Sequence, residues 1–132
     1  MVWKKKAHRP NAMVVDFGMF HRDSLLCRGR IRIEESEKWE EFDYYSGESA
    51  DGVTHETKPR GHLLIRHQFG LPTASLDLFM VQFETERSGR EVILEAGVAM
   101  DVHDSEDWES VALGKEHTLA FLCRRELESP AK

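Results

Sequence analysis

Few residues in this chain have reactive side chains in reactive surroundings. Two cysteines stand in 132 residues, too few for a disulfide scaffold. Cys27 and Cys123 both sit in apolar, strand-like runs, and buried reduced thiols are the preferred reading; a single bridge across one core is the alternative. No apolar run approaches the ~20 residues of a membrane span. The basic start, MVWKKKAHRPN, is not followed by the apolar stretch of a secretory signal. The expected compartment is therefore the cytoplasm, with no membrane contact. A Gly-rich phosphate loop is missing. GESADG, 47–52, is one residue too long for a nucleophile elbow, and no helical pattern follows it. Positive charge is scarce as well. The 18 Lys and Arg against 24 Asp and Glu leave a net charge of −6, which argues against a main task of gripping phosphate backbones.

A period of two dominates what is present. In EVILEAGVAMDV, 91–102, Val92, Leu94, Ala96, Val98, Met100 and Val102 fall on one face, the mark of a half-buried strand. In SLDLFMVQFETE, 75–86, Phe79, Val81, Phe83 and Thr85 share a face. A tip at Ser88-Gly89 would set Phe83 against Leu94, Val81 against Ala96 and Phe79 against Val98, so that the two apolar faces coincide. LLCRGRIRIE, 25–34, alternates Leu25, Cys27, Gly29, Ile31 and Ile33 with Arg28, Arg30, Arg32 and Glu34. HLLIRHQF, 62–69, turns Leu63, Ile65, His67 and Phe69 inward. HTLAFLCRR, 117–125, is apolar on both faces in its middle, as a central strand is. AMVVDFGMF, 12–20, and WEEFDYY, 39–45, are weaker strands, and 34–42 has the alternative of a short helix capped by Ser36. The polar connection 46–61 reads as functional or disordered, with mobility favoured.

One domain is the expectation for this length: a basic flexible arm over 1–11, a single β domain over 12–127 and a flexible tail over 128–132. The fold class is mainly β, an antiparallel β-sandwich or Greek-key barrel of seven to nine strands with at most one short helix.

Candidate sites are dispersed. DVHDSEDWE, 101–109, fails the calcium-loop pattern because Glu106 holds the sixth place, where glycine is needed; a charged turn, solvated by its own carboxylates, is the expected state. Asp101 and His103 share a strand face and offer two metal ligands. His67, inward among apolar neighbours, would reach an interior site with His103 or His117. His62 and His67 are five apart on one strand and point to opposite faces. Arg28, Arg30 and Arg32 project from one face about 7 Å apart, with Arg66 outward on another strand. Such a strip suits an acidic partner, phosphate or RNA, but no aromatic alternates with it as a base-stacking platform wants. Ion pairing with Glu84, Glu86, Glu91 and Glu95 is the favoured alternative. Trp39, Tyr44 and Tyr45 suit a protein interface, and capping the core is the equal alternative. MVVDFG, 13–18, resembles a short segment of the pyruvoyl-tetrahydropterin synthase family, but the helix and histidine set of that enzyme do not follow, and the resemblance is set aside.

The function expected is a non-catalytic binding or interaction domain, acting as an adaptor, inhibitor or self-assembling module through protein–protein contacts. Its partner would be another protein or copies of itself. No cofactor and no enzymatic activity is expected. The alternatives are a small-ligand- or metal-binding β-barrel or sandwich, enzymatic in one version, and an RNA- or phosphate-binding sheet, which the net charge disfavours.

Overall fold

Alternating apolar residues over most of the chain form two packed antiparallel sheets. The computed structural model describes residues 10–45, 61–70, 72–83, 90–114 and 118–128. The basic arm through residue 9, the connection 46–60, Glu84, Glu86, the Ser88-Gly89 tip, His117 and the tail 129–132 lie outside them. The strands are β1 (Ala12–His21), β2 (Ser24–Glu34), β3 (Lys38–Tyr44), β4 (Gly61–Phe69), β5 (Thr73–Phe83), β6 (Arg90–Asp101), β7 (Ser105–Leu113) and β8 (Leu119–Glu128). One sheet has the order β2-β1-β8-β7 and the other β3-β4-β5-β6. The chain therefore runs strand by strand round a flattened ring, without a Greek-key crossing, and its first and last strands pair over their whole length. No ladder joins β2 to β3 or β6 to β7 among the described residues, so the ring is a sandwich with two seams and not a closed barrel.

The inner faces make one core. Met13, Val15, Phe17 and Met19 of β1 meet Leu63, Ile65, Leu76, Leu78 and Met80 of the other sheet, with Phe121 and Cys123 alongside. Burial of one such large apolar side chain contributes about 1.5–3 kcal/mol. At the β2–β3 seam Phe42 leans over Gly29. A β-carbon on Gly29 would stand 2.3 Å from a Phe42 ring carbon. Phe17 holds the same ring from the side, centroids 4.8 Å apart and planes at 85°. The Tyr45 N–H donates to the Leu26 carbonyl, 3.1 Å away, and closes this seam.

At the β6–β7 seam the clasp is a side chain. Arg125 points inward from β8, 3% exposed, with Nη2 2.6 Å from Glu109 Oε2. Its Nη1 donates to the Asp101 carbonyl at 2.9 Å. The ladder between β7 and β8 is irregular between Ser105 and Glu109, where this guanidinium passes.

Several expectations are corrected. β5 buries Leu76, Leu78 and Met80, while Phe79 faces outward opposite Glu95 and Val98 pairs with Leu76. Apolar residues occupy both faces of SLDLFMVQF, so the period does not choose between them; the β4 ladder does, by setting Leu78 beside Ile65. The β5–β6 ladder skips Ile93, a bulge, and this turns Val92 out to 57% exposure. Residues 38–44 are a strand, not a helix, because Phe42 and Tyr44 alternate onto the core. The described residues contain no helix. The acidic stretch is a turn only over 102–104, and Ser105 opens β7. Leu26 is an extra residue in the β1–β2 ladder, so it is buried beside Cys27 and Leu25 is only half-buried.

Candidate functional site

The outer face of the β2-β1-β8-β7 sheet carries the arginine strip, and its carboxylate partners come from the same sheet. Asp16 lies directly between Arg30 and Arg124 in the ladders. Arg30 Nε donates to Asp16 Oδ1 at 2.6 Å and Arg124 Nε to Oδ2 at 3.3 Å. The Arg30 guanidinium, helped by Arg124, holds the Asp16 carboxyl below its ordinary pKa against the opposing effect of burial. Arg32 donates to Glu128 at 2.7 Å and also to Glu34. Glu95 does not reach Arg28, Arg30 or Arg32, since it belongs to the other sheet, where its charge acts on Arg66. Arg28 has no acidic partner among the described residues. Two of the three arginines in the strip are thus neutralised locally, which weakens it as a phosphate or RNA surface. Arg124 also lies over the half-exposed Trp108, 5.0 Å from the ring centroid.

The interior residues do not converge. His67 is buried on β4, and neither ring nitrogen makes a hydrogen bond; Nε2 comes to 3.3 Å from Glu40 Oε2. Asp101 ends β6, two strands away. His103 follows in the turn, where Nδ1 lies 2.8 Å from the Asp104 carbonyl. The structure does not bring His67 together with Asp101 and His103. The Leu127 N–H donates to Asp104 Oδ1 at 2.8 Å, so one of the acidic residues in this stretch works as a tie between β8 and the turn. Both thiols are free and buried. Burial pushes the Cys27 thiol up to about 12.

The outer face of β3-β4-β5-β6 is different. Cross-strand registers place Trp39, Arg66, Asp77 and Gly97 in one row, and Glu41, Leu64, Phe79 and Glu95 in the next. Trp39 is 55% exposed and is held between neighbours. It stacks on Phe79, centroids 5.7 Å apart and planes at 27°, and the Arg66 guanidinium lies 5.4 Å from its ring centroid. Arg66 Nε donates to Asp77 at 3.0 Å. A groove of about 360 Å³ beside this shelf is lined by Arg66, Asp77, Phe79, Glu95, Ala96 and Gly97. Among the described side chains, Glu41, Asp43, Asp77 and Glu95 stand on this face with Arg66. A third row sets Asp43 directly opposite His62. His62 Nδ1 is 2.6 Å from Glu41 Oε1 and 3.0 Å from Asp43 Oδ1.

Of the sequence-predicted interface residues, Trp39 and Arg66 meet on this face. Tyr44 instead packs half-buried against the core, and Tyr45 sits half-buried at the β2–β3 seam. Phe79, Asp77, Glu41 and Asp43 were not singled out from sequence. A β3–β4 register would have found the last two, but the 15-residue connection 46–60 supplies no turn geometry from which to count one. No family model, curated protein or solved structure matches this chain, so the functional reading rests on these side chains alone.

Proposed function

We propose that the protein is a non-catalytic interaction domain that binds a basic polypeptide segment on the outer face of β3-β4-β5-β6. The observation that carries this is the exposed Trp39, fixed between Phe79 and Arg66 on a face where carboxylates outnumber arginines four to one among the outward residues named above. Tryptophan and arginine dominate binding hot spots because they bury much area with little rotamer freedom to lose. Here that freedom is already restricted in the unbound protein, which lowers the cost of binding. The ring accommodates the Arg66 guanidinium, so a lysine or arginine from a partner would take that cation–π position by displacing Arg66, and Glu41, Asp43 and Glu95 supply complementary charge. The opposite outer face has its own Trp108–Arg124 pair, but there the carboxylate between the arginines is fully engaged.

The test is selection from a displayed peptide library on the untagged full chain, with Trp39→Ala as counter-selection. The expected result is enrichment of Lys- or Arg-containing peptides whose affinity falls by roughly tenfold or more in Trp39→Ala, and weakens with salt, while Trp108→Ala binds as wild type. Enrichment insensitive to Trp39 and Phe79 substitutions, or no enrichment over the Trp39→Ala protein, would overturn the reading.

A further inference from the structure

Three donor atoms of two kinds converge at one end of the same face, and two of them come from Glu41 and Asp43, carboxylates that the proposed docking surface also uses. Among the described residues, Glu41, Asp43 and His62 form the one group of His, Cys, Asp and Glu whose ligand atoms all lie within 4.8 Å of one another. We propose that these residues bind a single divalent transition metal of the zinc class, through His62 Nδ1, Glu41 Oε1 and Asp43 Oδ1.

One imidazole nitrogen carries at most one proton, yet two carboxylate oxygens face it at 2.6 and 3.0 Å. A single N–H cannot point at both, and two carboxylates sharing one hydrogen repel each other. Neither carboxylate is paired with a lysine or arginine among the described residues. A divalent cation at this point would neutralise both.

Geometry agrees. Metal bonds of 2.0–2.2 Å in a tetrahedron put ligand atoms about 3.4 Å apart. The two nitrogen–oxygen separations of 2.6 and 3.0 Å need to open by about 0.8 and 0.4 Å to reach it. The imidazole is the fixed element, with a side chain 17% exposed, and the carboxylates are half-exposed at 49% and 51% and free to swing. Asp43 is the direct ladder partner of His62, and Glu41 is two residues along the same face, so a rigid antiparallel pair fixes the ligand spacing. On binding, the Nδ1 proton moves to solvent or, by tautomer exchange, to Nε2. The nitrogen-plus-carboxylate set selects zinc-like ions over magnesium or calcium, which favour oxygen alone. Three protein ligands leave at least one position open to water or to an incoming group.

The experiment is a Zn²⁺ titration of the untagged full chain by calorimetry, with the histidine ring resonances followed by NMR. The expected result is one saturable Zn²⁺ per chain, movement of the His62 ring signals, and a loss of affinity of roughly tenfold or more in each of Asp43→Asn, Glu41→Gln and His62→Asn. The two carboxylate substitutions are at exposed positions and keep the fold even if His62→Asn does not. His103→Asn is expected to bind as wild type. No saturable Zn²⁺ binding would overturn the proposal and leave the trio as an ion-paired cap on the edge strand. So would an isotherm unchanged in Asp43→Asn and Glu41→Gln, which would place the ion elsewhere.

Discussion

Replacing Gly29 by alanine tests the packing of the β2–β3 seam with one carbon atom. The added β-carbon would stand 2.3 Å from Cε1 and 2.7 Å from Cδ1 of Phe42, where ordinary contact is ~3.5–4.0 Å. Phe42 cannot simply retreat, because Phe17 flanks it edge to face and Phe17 is itself stacked on Phe121 at 5.3 Å. Overpacking of this kind costs about 1–3 kcal/mol. Against it, alanine is better than glycine in a strand by roughly 0.5–1 kcal/mol. The steric term wins, and a net loss of roughly 0.5–2 kcal/mol is expected, a melting temperature lower by about 2–8 °C in a chain of this size. Urea denaturation of four proteins isolates the cause: wild type, Gly29→Ala, Phe42→Leu and the double variant. If the clash is real, the alanine penalty largely vanishes when Phe42 is Leu, and the coupling energy is about 1 kcal/mol or more. Additive costs, or a Gly29→Ala protein as stable as wild type, would refute the packing account.

His67→Leu combined with Glu40→Leu is expected to raise the urea midpoint at pH 7, since it replaces two buried ring nitrogens that make no hydrogen bond together with the buried Glu40 Oε2 that stands 3.3 Å from one of them; a loss of stability would show that the ring is satisfied in solution. Asp16 has a folded pKa held below its unfolded value, so its contribution is full above about pH 4, the unfolded carboxylate range, and is lost as pH falls through the folded pKa. Asp16→Asn should therefore lower the urea midpoint at pH 7 and differ progressively less from wild type between pH 4 and pH 2; a constant difference across that range would contradict the linkage. With its thiol pushed up to about 12, Cys27 holds a negligible thiolate fraction at pH 8, so an alkylating reagent should label it only after the chain is unfolded, and rapid labelling of native protein would contradict the burial.

Much of the architecture was legible because long alternating runs leave little choice of face. The inward Ile31, Ile33, Leu63, Ile65 and His67 follow from period alone, and the interior position of β8 follows from its two apolar faces. The failures have local causes. β5 is apolar on both sides, so Phe79 was placed inward although Trp39 waits for it outside. A skipped Ile93 turned Val92 against its own alternation. β7 was hidden because SEDWESVAL is mostly exposed and charged along an edge. The candidate site was the least legible part. Trp39 and Arg66 could be listed, but their meeting with Phe79, and that of Asp43 with His62, depends on a register set by sheet packing across a long connection.

The pairing of β1 with β8 has a consequence for how the chain comes to be folded. Asn11 N–H donates to the Glu128 carbonyl at 3.0 Å, so the start and finish of the domain are hydrogen-bonded neighbours in the middle of a sheet. During synthesis the β1–β2 hairpin emerges first, yet the strand that covers its open edge is the last to appear. The sheet β3-β4-β5-β6, a run of consecutive neighbours, has all its partners earlier. The sheet β3-β4-β5-β6 can therefore assemble before β8 is made, and the other sheet must wait for it. Removing β8 would uncover β1 and leave β7 without its ladder partner among the described residues, giving exposed edges of the kind that aggregate. Joining the two ends and opening the ring at the 46–60 connection would instead reorder the sequence without breaking any of the described strand pairs.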